Sequence, residues 1–440
     1  MSAGAATTGV GDGLLRNIGR WTLVGLVLNG ILGSAVYGLP SVLAGKVGAA
    51  AWWSWLGAAV VIAIIMACFA EVASRFAGAG GPYLYARVAF GPFVGIQMGW
   101  MAYLVRLTAA AANANLVVTY LGEFWPGVSQ PAAGGLVLLA LLGGLAAINY
   151  RGVKHGARMS NLFIVSKLLP LLLFAFVGIA LVLARGPITP APPVAPITGS
   201  VWVETLLILI FAYGGFEAAM VPLSEAKNPQ RDAPFALFMA LLVCTVIYTM
   251  VQLVVSLSLP DPASQARPLA AAARVLAGSP GAVLITIGAL LSLFGYLSGA
   301  TVMAPRLTFA MAEQGDFPAI VGRVHPVYRT PYVSVLLFSA LALGLALSGS
   351  FVQNLTLSAV SRLATYGLVC LAVPVMRRRS DLAEPAFRLP FAGPIAALGI
   401  FFSLLLATRM TSREGIILAI VATLAGVNWL VARRRRQRAA

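Results

Sequence analysis

The chain has 440 residues, of which 60% are hydrophobic and only 10% charged, with a mean hydropathy of +0.91 and a formal net charge of +17. Soluble domains carry about a quarter charged residues, so a water-soluble reading fails, and the length that would suggest about three soluble domains can instead serve one bundle in lipid. The basic excess does not mark a nucleic-acid surface, because the charges sit in gaps between apolar runs; Arg433, Arg434, Arg435, Arg436 and Arg438 follow an apolar helix and read as anchors to anionic lipid.

A membrane span needs about 20 apolar residues, and its backbone must satisfy itself, so each such run must be helical. Taken in order, twelve runs qualify: 22–44, 50–74, 93–121, 132–149, 158–184, 201–224, 235–259, 281–311, 332–349, 352–376, 391–408 and 414–432. They divide the chain into an N-terminal segment 1–21, spans 1–5 over 22–184, spans 6–10 over 201–376, spans 11–12 over 391–432 and a basic tail 433–440. The Pro/Gly-rich stretch 185–199 reads as an external loop. No cleaved signal peptide precedes the first span. Cys68, Cys244 and Cys370 all lie within apolar runs and form neither a disulfide nor a metal pattern. If the N-terminus is inside, 20 Lys/Arg fall on the cytoplasmic side and six on the other. That bias puts both termini in the cytoplasm of an inner (plasma) membrane protein.

Spans 1 and 6 are interrupted alike. The first contains Gly33 followed by Pro40, the sixth Gly215 followed by Pro222. Glycine and proline both weaken a helix interior. Their matching placement is what a five-plus-five inverted repeat would produce, with unwound backbone facing a midplane cavity. Half-helix N-termini there would suit a carboxylate. Small residues that merely let helices approach are the alternative.

At these residues the sequence resembles the amino acid–polyamine–organocation (APC) superfamily of permeases. Gly33-Ser34-Ala35 is similar to that family's Gly-Ser-Gly signature. The runs AEVASRFAGAGGPYLYARVAFGPFVG (70–95), GFEAAMVPLSEAKNPQRDAP (215–234) and APRLTFAMAEQGDFP (304–318) match further family blocks in the same order. The resemblance implies an all-α membrane protein of the leucine-transporter type, with 12 transmembrane helices: a 5+5 inverted repeat plus two C-terminal helices. It also implies that a substrate carboxylate meets main-chain N–H groups around Ser34 and Ala35. The amino group would meet carbonyls near Ile31 and at the sixth-span break, Gly214-Gly215, with Phe211 as an aromatic gate. Ala35 departs from the third glycine of the signature, and its methyl group narrows the approach to the backbone.

Charges at bilayer depth are costly and mark function or a partner. The deep ones are Arg106, Lys167, Glu217 and Arg362; Glu71, Glu204 and Arg306 lie nearer span ends. Lys167 resembles the lysine of sodium-independent family members and could replace a bound cation or release a proton; a snorkelling lysine is the alternative. Glu217 matches a family glutamate and could carry a proton, or could pair with an arginine or cap an exposed backbone group. Arg106 lies midway along span 3, where it could sense an anionic group on the substrate or pair with Glu217. Arg362 could contact backbone carbonyls. Tyr37, Tyr213 and Tyr366 fall near the expected cavity, and Asn113 and Asn115 could simply bond neighbouring helices.

His155 and His325 lie in separate loops, and no nucleophile or metal-ligand motif surrounds either, so an enzyme is not expected. A channel would want a continuous polar lining. A sensor without transport would want a soluble signalling domain, for which the segments beyond the spans are too short. The sequence therefore points to a secondary transporter for amino acids or related amines, with no cofactor and no metal. Proton coupling is expected, exchange is the alternative, and the oligomeric state stays open.

Overall fold

A computed structural model describes residues 18–76, 81–152, 156–186, 197–220 and 226–439; the side chains of 156–167, 218, 219, 229, 435, 436, 438 and 439 lie outside the described set. The chain folds into helices α1 (Arg20–Ile31), α2 (Ala35–Val47), α3 (Ala51–Ala73), α4 (Gly81–Phe90), α5 (Pro92–Leu121), α6 (Pro131–Arg151), α7 (Gly156–Arg185) and α8 (Gly199–Tyr213). It continues through α9 (Phe216–Ala219), α10 (Pro229–Ser258), α11 (Pro268–Glu313), α12 (Tyr332–Ser348), α13 (Phe351–Arg377), α14 (Ala392–Ala407) and α15 (Ser412–Ala439). Among the described residues there is no strand, only one isolated bridge between Ile18 and Ala226.

Among the described residues, eight stretches are long and apolar enough to cross a membrane; α8, α12 and α14 are apolar but shorter. Local sequence sets their ends. Proline occupies the opening turn of α5, α6, α10 and α11, where its missing N–H costs nothing. Gly91, at φ 89°, makes the sharp corner between α4 and α5. Ser350 and Gln353 close a reciprocal capping box at the start of α13.

One expected boundary is corrected. The run expected at 281–311 belongs to a helix that starts at Pro268, divided at Gly278, whose φ of 69° and ψ of −165° break the ladder just before Pro280. The run 22–44, expected to be interrupted at Gly33, is two helices with Leu32, Gly33 and Ser34 between them.

Burial sorts the bundle into inner and outer helices. About four-fifths of the apolar window of α5 is buried (78%), against 17% for α15 and 22% for α6, so α5 is central and the other two present apolar faces outward, as lipid contact requires. Helix α5 packs on α13 and α11, while α10 packs on α3, α1 and α7. Close approach uses small residues: a Cβ on Gly288 of α11 would lie 2.7 Å from Pro170 of α7.

Ion pairs tie helix ends at both faces. On the face bearing the start of α1, Arg20 pairs with Asp232 of α10 at 2.9 Å. The Lys227 N–H donates to the Ile18 carbonyl at 2.9 Å. Fully buried Glu71 accepts two bonds from Arg377, both 2.7 Å, and one from the Leu389 N–H at 2.9 Å. Arg87 and Tyr83 both hold Asp316. On the opposite face, Lys46 pairs with Glu204 at 2.6 Å, and Glu123 sits between Arg267 and Arg274.

Candidate functional site

The two helix interruptions meet at the centre of the bundle. Helix α1 ends at Ile31, the chain extends through Leu32, and α2 restarts at Ala35. Helix α8 ends at Tyr213; Gly214 is extended and Gly215 takes φ 107°, a left-handed value that glycine alone adopts readily. The backbones touch here. A Cβ on Gly30 would lie 2.8 Å from the Gly215 carbonyl oxygen, and one on Gly215 would collide with the Gly30 carbonyl. Neither position has room for a side chain.

This crossing exposes helix poles of both signs. The first N–H groups of α2 have no partner within their helix and carry its positive end. The last carbonyls of α1 and α8 carry the negative ends, and they already have donors. The Tyr248 hydroxyl lies 3.1 Å from both the Ile31 and the Ala212 carbonyl oxygens, and Arg362 Nη1 donates to the Phe211 carbonyl at 3.1 Å.

Arg362, on α13, is 5% exposed. Its guanidinium lies over the Phe211 ring, 5.6 Å from the centroid, and its Nε stands 3.1 Å from Glu217 Oε1. A Cβ on Gly214 would overlap that guanidinium, so the glycine makes space for the arginine as well as for the turn. Glu217 Oε2 accepts from the Gly215 N–H at 2.8 Å and from the Tyr366 hydroxyl at 3.3 Å. The alternative in which Arg106 pairs with Glu217 is not the one found: Arg362 reaches Glu217 from α13 at 3.1 Å, while Arg106 makes a 3.1 Å bond to the Ala102 carbonyl one turn back. No ion pair to Arg106 occurs among the described residues.

Two cavities flank the crossing. A small one of about 20 Å³ is lined by residues including Ile31, Gly33, Ser34, Ala35, Phe211 and Gly214, with Asn113 across from them, and is large enough for about one water. Ser34 Oγ and Asn113 Oδ1, both on essentially fully buried residues, have no hydrogen-bond partner. A chamber of about 250 Å³ lies toward the face bearing the start of α1; Arg106, Gly215, Glu217, Tyr296, Arg362 and Thr365 contribute to its wall. Tyr296 and Arg362 belong to both linings and form the partition. The other half of the bundle is closed above the small cavity, where fully buried Tyr120 donates to the Tyr37 carbonyl at 2.9 Å and Phe351 packs against Gly38.

Of the residues expected at the site, Ile31, Gly33, Ser34, Ala35, Phe211 and Gly214 thus surround one cavity, and Arg106, Gly215 and Glu217 the next. The side chain of Lys167 lies outside the described residues. Tyr213 bonds the Trp55 carbonyl at 3.0 Å, and Asn115 bonds the Ala346 carbonyl at 2.8 Å; neither lines the cavities. Sequence reasoning missed Tyr248 and Tyr296. Both lie in apolar runs without a break or charge beside them, so no local signal distinguishes them from packing tyrosines.

Interrupted helices that turn main-chain poles toward internal cavities, within a bundle of apolar helices, are the architecture of a membrane transporter. The chain belongs to the amino acid permease family, whose sequence model matches residues 18–427. It is similar to the methylthioribose transporter of Bacillus subtilis (strain 168), 27% identical over 436 residues covering 95% of this chain and 90% of that protein. It is likewise similar to two further proteins of that organism. The branched-chain amino acid permease BcaP is 27% identical over 92% of this chain and 90% of its own length, and the serine/threonine exchanger SteT 28% over 94% and 96%. The family and these relatives are transporters, not enzymes.

Proposed function

We propose that the protein is a secondary active transporter that moves amino acids or related amines across the plasma membrane by alternating access, coupled to protons. The observation that carries this reading is the contact of two helix breaks at Gly30 and Gly215 beside a cavity whose buried Ser34 Oγ and Asn113 Oδ1 lack partners. A substrate carboxylate would take the N–H groups at the start of α2, with the Ser34 hydroxyl beside them. The ammonium would take Asn113 Oδ1 and the carbonyls at the breaks, with Phe211 covering it. The names of two relatives, a branched-chain amino acid permease and a serine/threonine exchanger, support the substrate class.

In this reading the chain crosses the bilayer twelve times with both termini in the cytoplasm. Residues 22–184 and 201–376 form the two inverted repeats, and spans 11 and 12 stand outside them. The chamber lined by Arg106 then opens inward. Lys167 of the fifth span and Glu217 are the groups through which a proton would act. Exchange is the second reading. It is favoured by the engagement of both Glu217 oxygens with Arg362, Gly215 and Tyr366, the bonding of a group that holds the helix break in shape.

Uptake of labelled amino acids into proteoliposomes, with and without an inward proton gradient, tests both. Gradient-stimulated uptake supports symport, and uptake only into liposomes preloaded with amino acid supports exchange. Absence of either over a broad amino acid and amine panel would refute the substrate class.

A further inference from the structure

The charge balance around the two cavities is uneven. Among the described residues that line them, the charged side chains are Arg106, Arg362 and Glu217: two guanidiniums against one carboxylate. Arg362 is spent internally, on Glu217 and the Phe211 carbonyl. Most groups that would draw a cation are already engaged. Glu217 has a partner for each oxygen, and Tyr248 and Arg362 serve the Ile31, Ala212 and Phe211 carbonyls. Two acceptors in the small cavity are left over, Asn113 Oδ1 and the Ser34 hydroxyl, enough for a single ammonium.

Arg106 is the reverse case. It faces the chamber of about 250 Å³ and spends one N–H on its own helix. A guanidinium has five donors in a fixed fork that matches a carboxylate, and Arg106, partly exposed to the chamber, keeps donors free to meet one. Beside it in the same chamber wall lies Thr365 Oγ1, buried and without a partner. On the opposite face, a separate cavity of about 510 Å³ carries Arg267 and Arg274 against Glu123 as its charged lining. That potential would also raise the local concentration of an anion.

We propose, resting on the transporter reading above, that the substrate carries net negative charge, namely an amino acid with a second, side-chain carboxylate. With the Tyr296–Arg362 partition displaced so that the two cavities join, its backbone carboxylate meets the start of α2, its ammonium meets Asn113 Oδ1, and its distal carboxylate meets the Arg106 fork, Thr365 lining the same chamber. For a cationic side chain the chamber offers, among the described residues, no unpaired carboxylate, only neutral acceptors such as the free Thr365 hydroxyl. A neutral one leaves Arg106 unmatched.

The test is equilibrium binding to the purified full-length protein, alongside proteoliposome uptake, using L-glutamate, L-aspartate, L-glutamine, L-leucine, L-arginine, putrescine and glutarate. Glutamate and glutamine share a shape and differ in one charge, so glutamate or aspartate should bind about tenfold or more tighter than glutamine. Arg106→Gln should remove that preference, while Arg106→Lys should keep its direction at lower affinity. Glutamine, leucine, arginine or putrescine binding as well as glutamate overturns the proposal, whether or not the variants fold, and leaves the amino acid transporter reading standing. Glutarate binding as well as glutamate supports an anionic substrate and counts against the amine. Failure of every probe to bind or enter overturns both readings.

Discussion

Replacing Gly214 by alanine would put a methyl group where the Arg362 guanidinium now lies. Gly214 has φ −77° and ψ 167°, values that alanine adopts without strain, so the backbone can stay and the arginine must move. It would lose its bond to the Phe211 carbonyl and its place beside Glu217. A hydrogen bond from a charged donor contributes about 1.5–3 kcal/mol, which sets the expected cost of Gly214→Ala. Arg362→Ala should cost more, about 3–5 kcal/mol, because it leaves Glu217 buried without its cation. The two changes should not add. Once Arg362 is gone, the methyl group at position 214 has nothing to displace, and Gly214→Ala should then cost no more than about 0.5 kcal/mol. Thermal unfolding of the four proteins of this cycle in detergent, followed by size-exclusion fluorescence, measures the coupling. Additive losses, or a Gly214→Ala protein as stable as the parent, would refute the packing of Arg362 against this glycine.

Gly215→Ala should be worse than Gly214→Ala, since it adds a left-handed φ, costing about 1–2 kcal/mol, to the collision with the Gly30 carbonyl; abolished uptake with a lowered melting temperature is the expected result. Tyr248→Phe removes the donor that the Ile31 and Ala212 carbonyls share. It should cost about 1 kcal/mol of stability, read in the same unfolding assay. Glu71→Gln should lower the melting temperature through weakened bonds to Arg377 and Leu389, each charged bond contributing about 1.5–3 kcal/mol. Glu71 is remote from the cavities, so ligand preference in a competition assay should not change.

The helix breaks were legible because their cause is local. Gly33, Gly214 and Gly215 interrupt otherwise continuous apolar runs, and the structure interrupts its helices at those residues. The extension of α11 back to Pro268 was hidden because Gly278 and Pro280 look like a terminus, whereas the chain resumes a helix on both sides. Partnership was the least legible. Arg106 and Arg362 are both single cations in apolar helices, and only the packing of α13 against α8 brings Arg362, rather than Arg106, to Glu217. Tyr248 was invisible for the same reason. Its function lies in the two carbonyls it reaches, on α1 and α8, and nothing beside it in the sequence points to them.

The start of α1 is fastened to the start of α10 twice, by the Lys227–Ile18 backbone bond and by the Arg20–Asp232 pair. Further along, α1 abuts the other broken helix at Gly30 and Gly215. An element held at one end by a clasp and at the other by a fulcrum cannot swing independently. Any tilt of α1 must carry α10 with it or open the clasp, so the moving part of this machine is a coupled pair of levers rather than a single hinged rod. A disulfide engineered across the clasp would separate the two alternatives, because it blocks the cycle only if the clasp has to open.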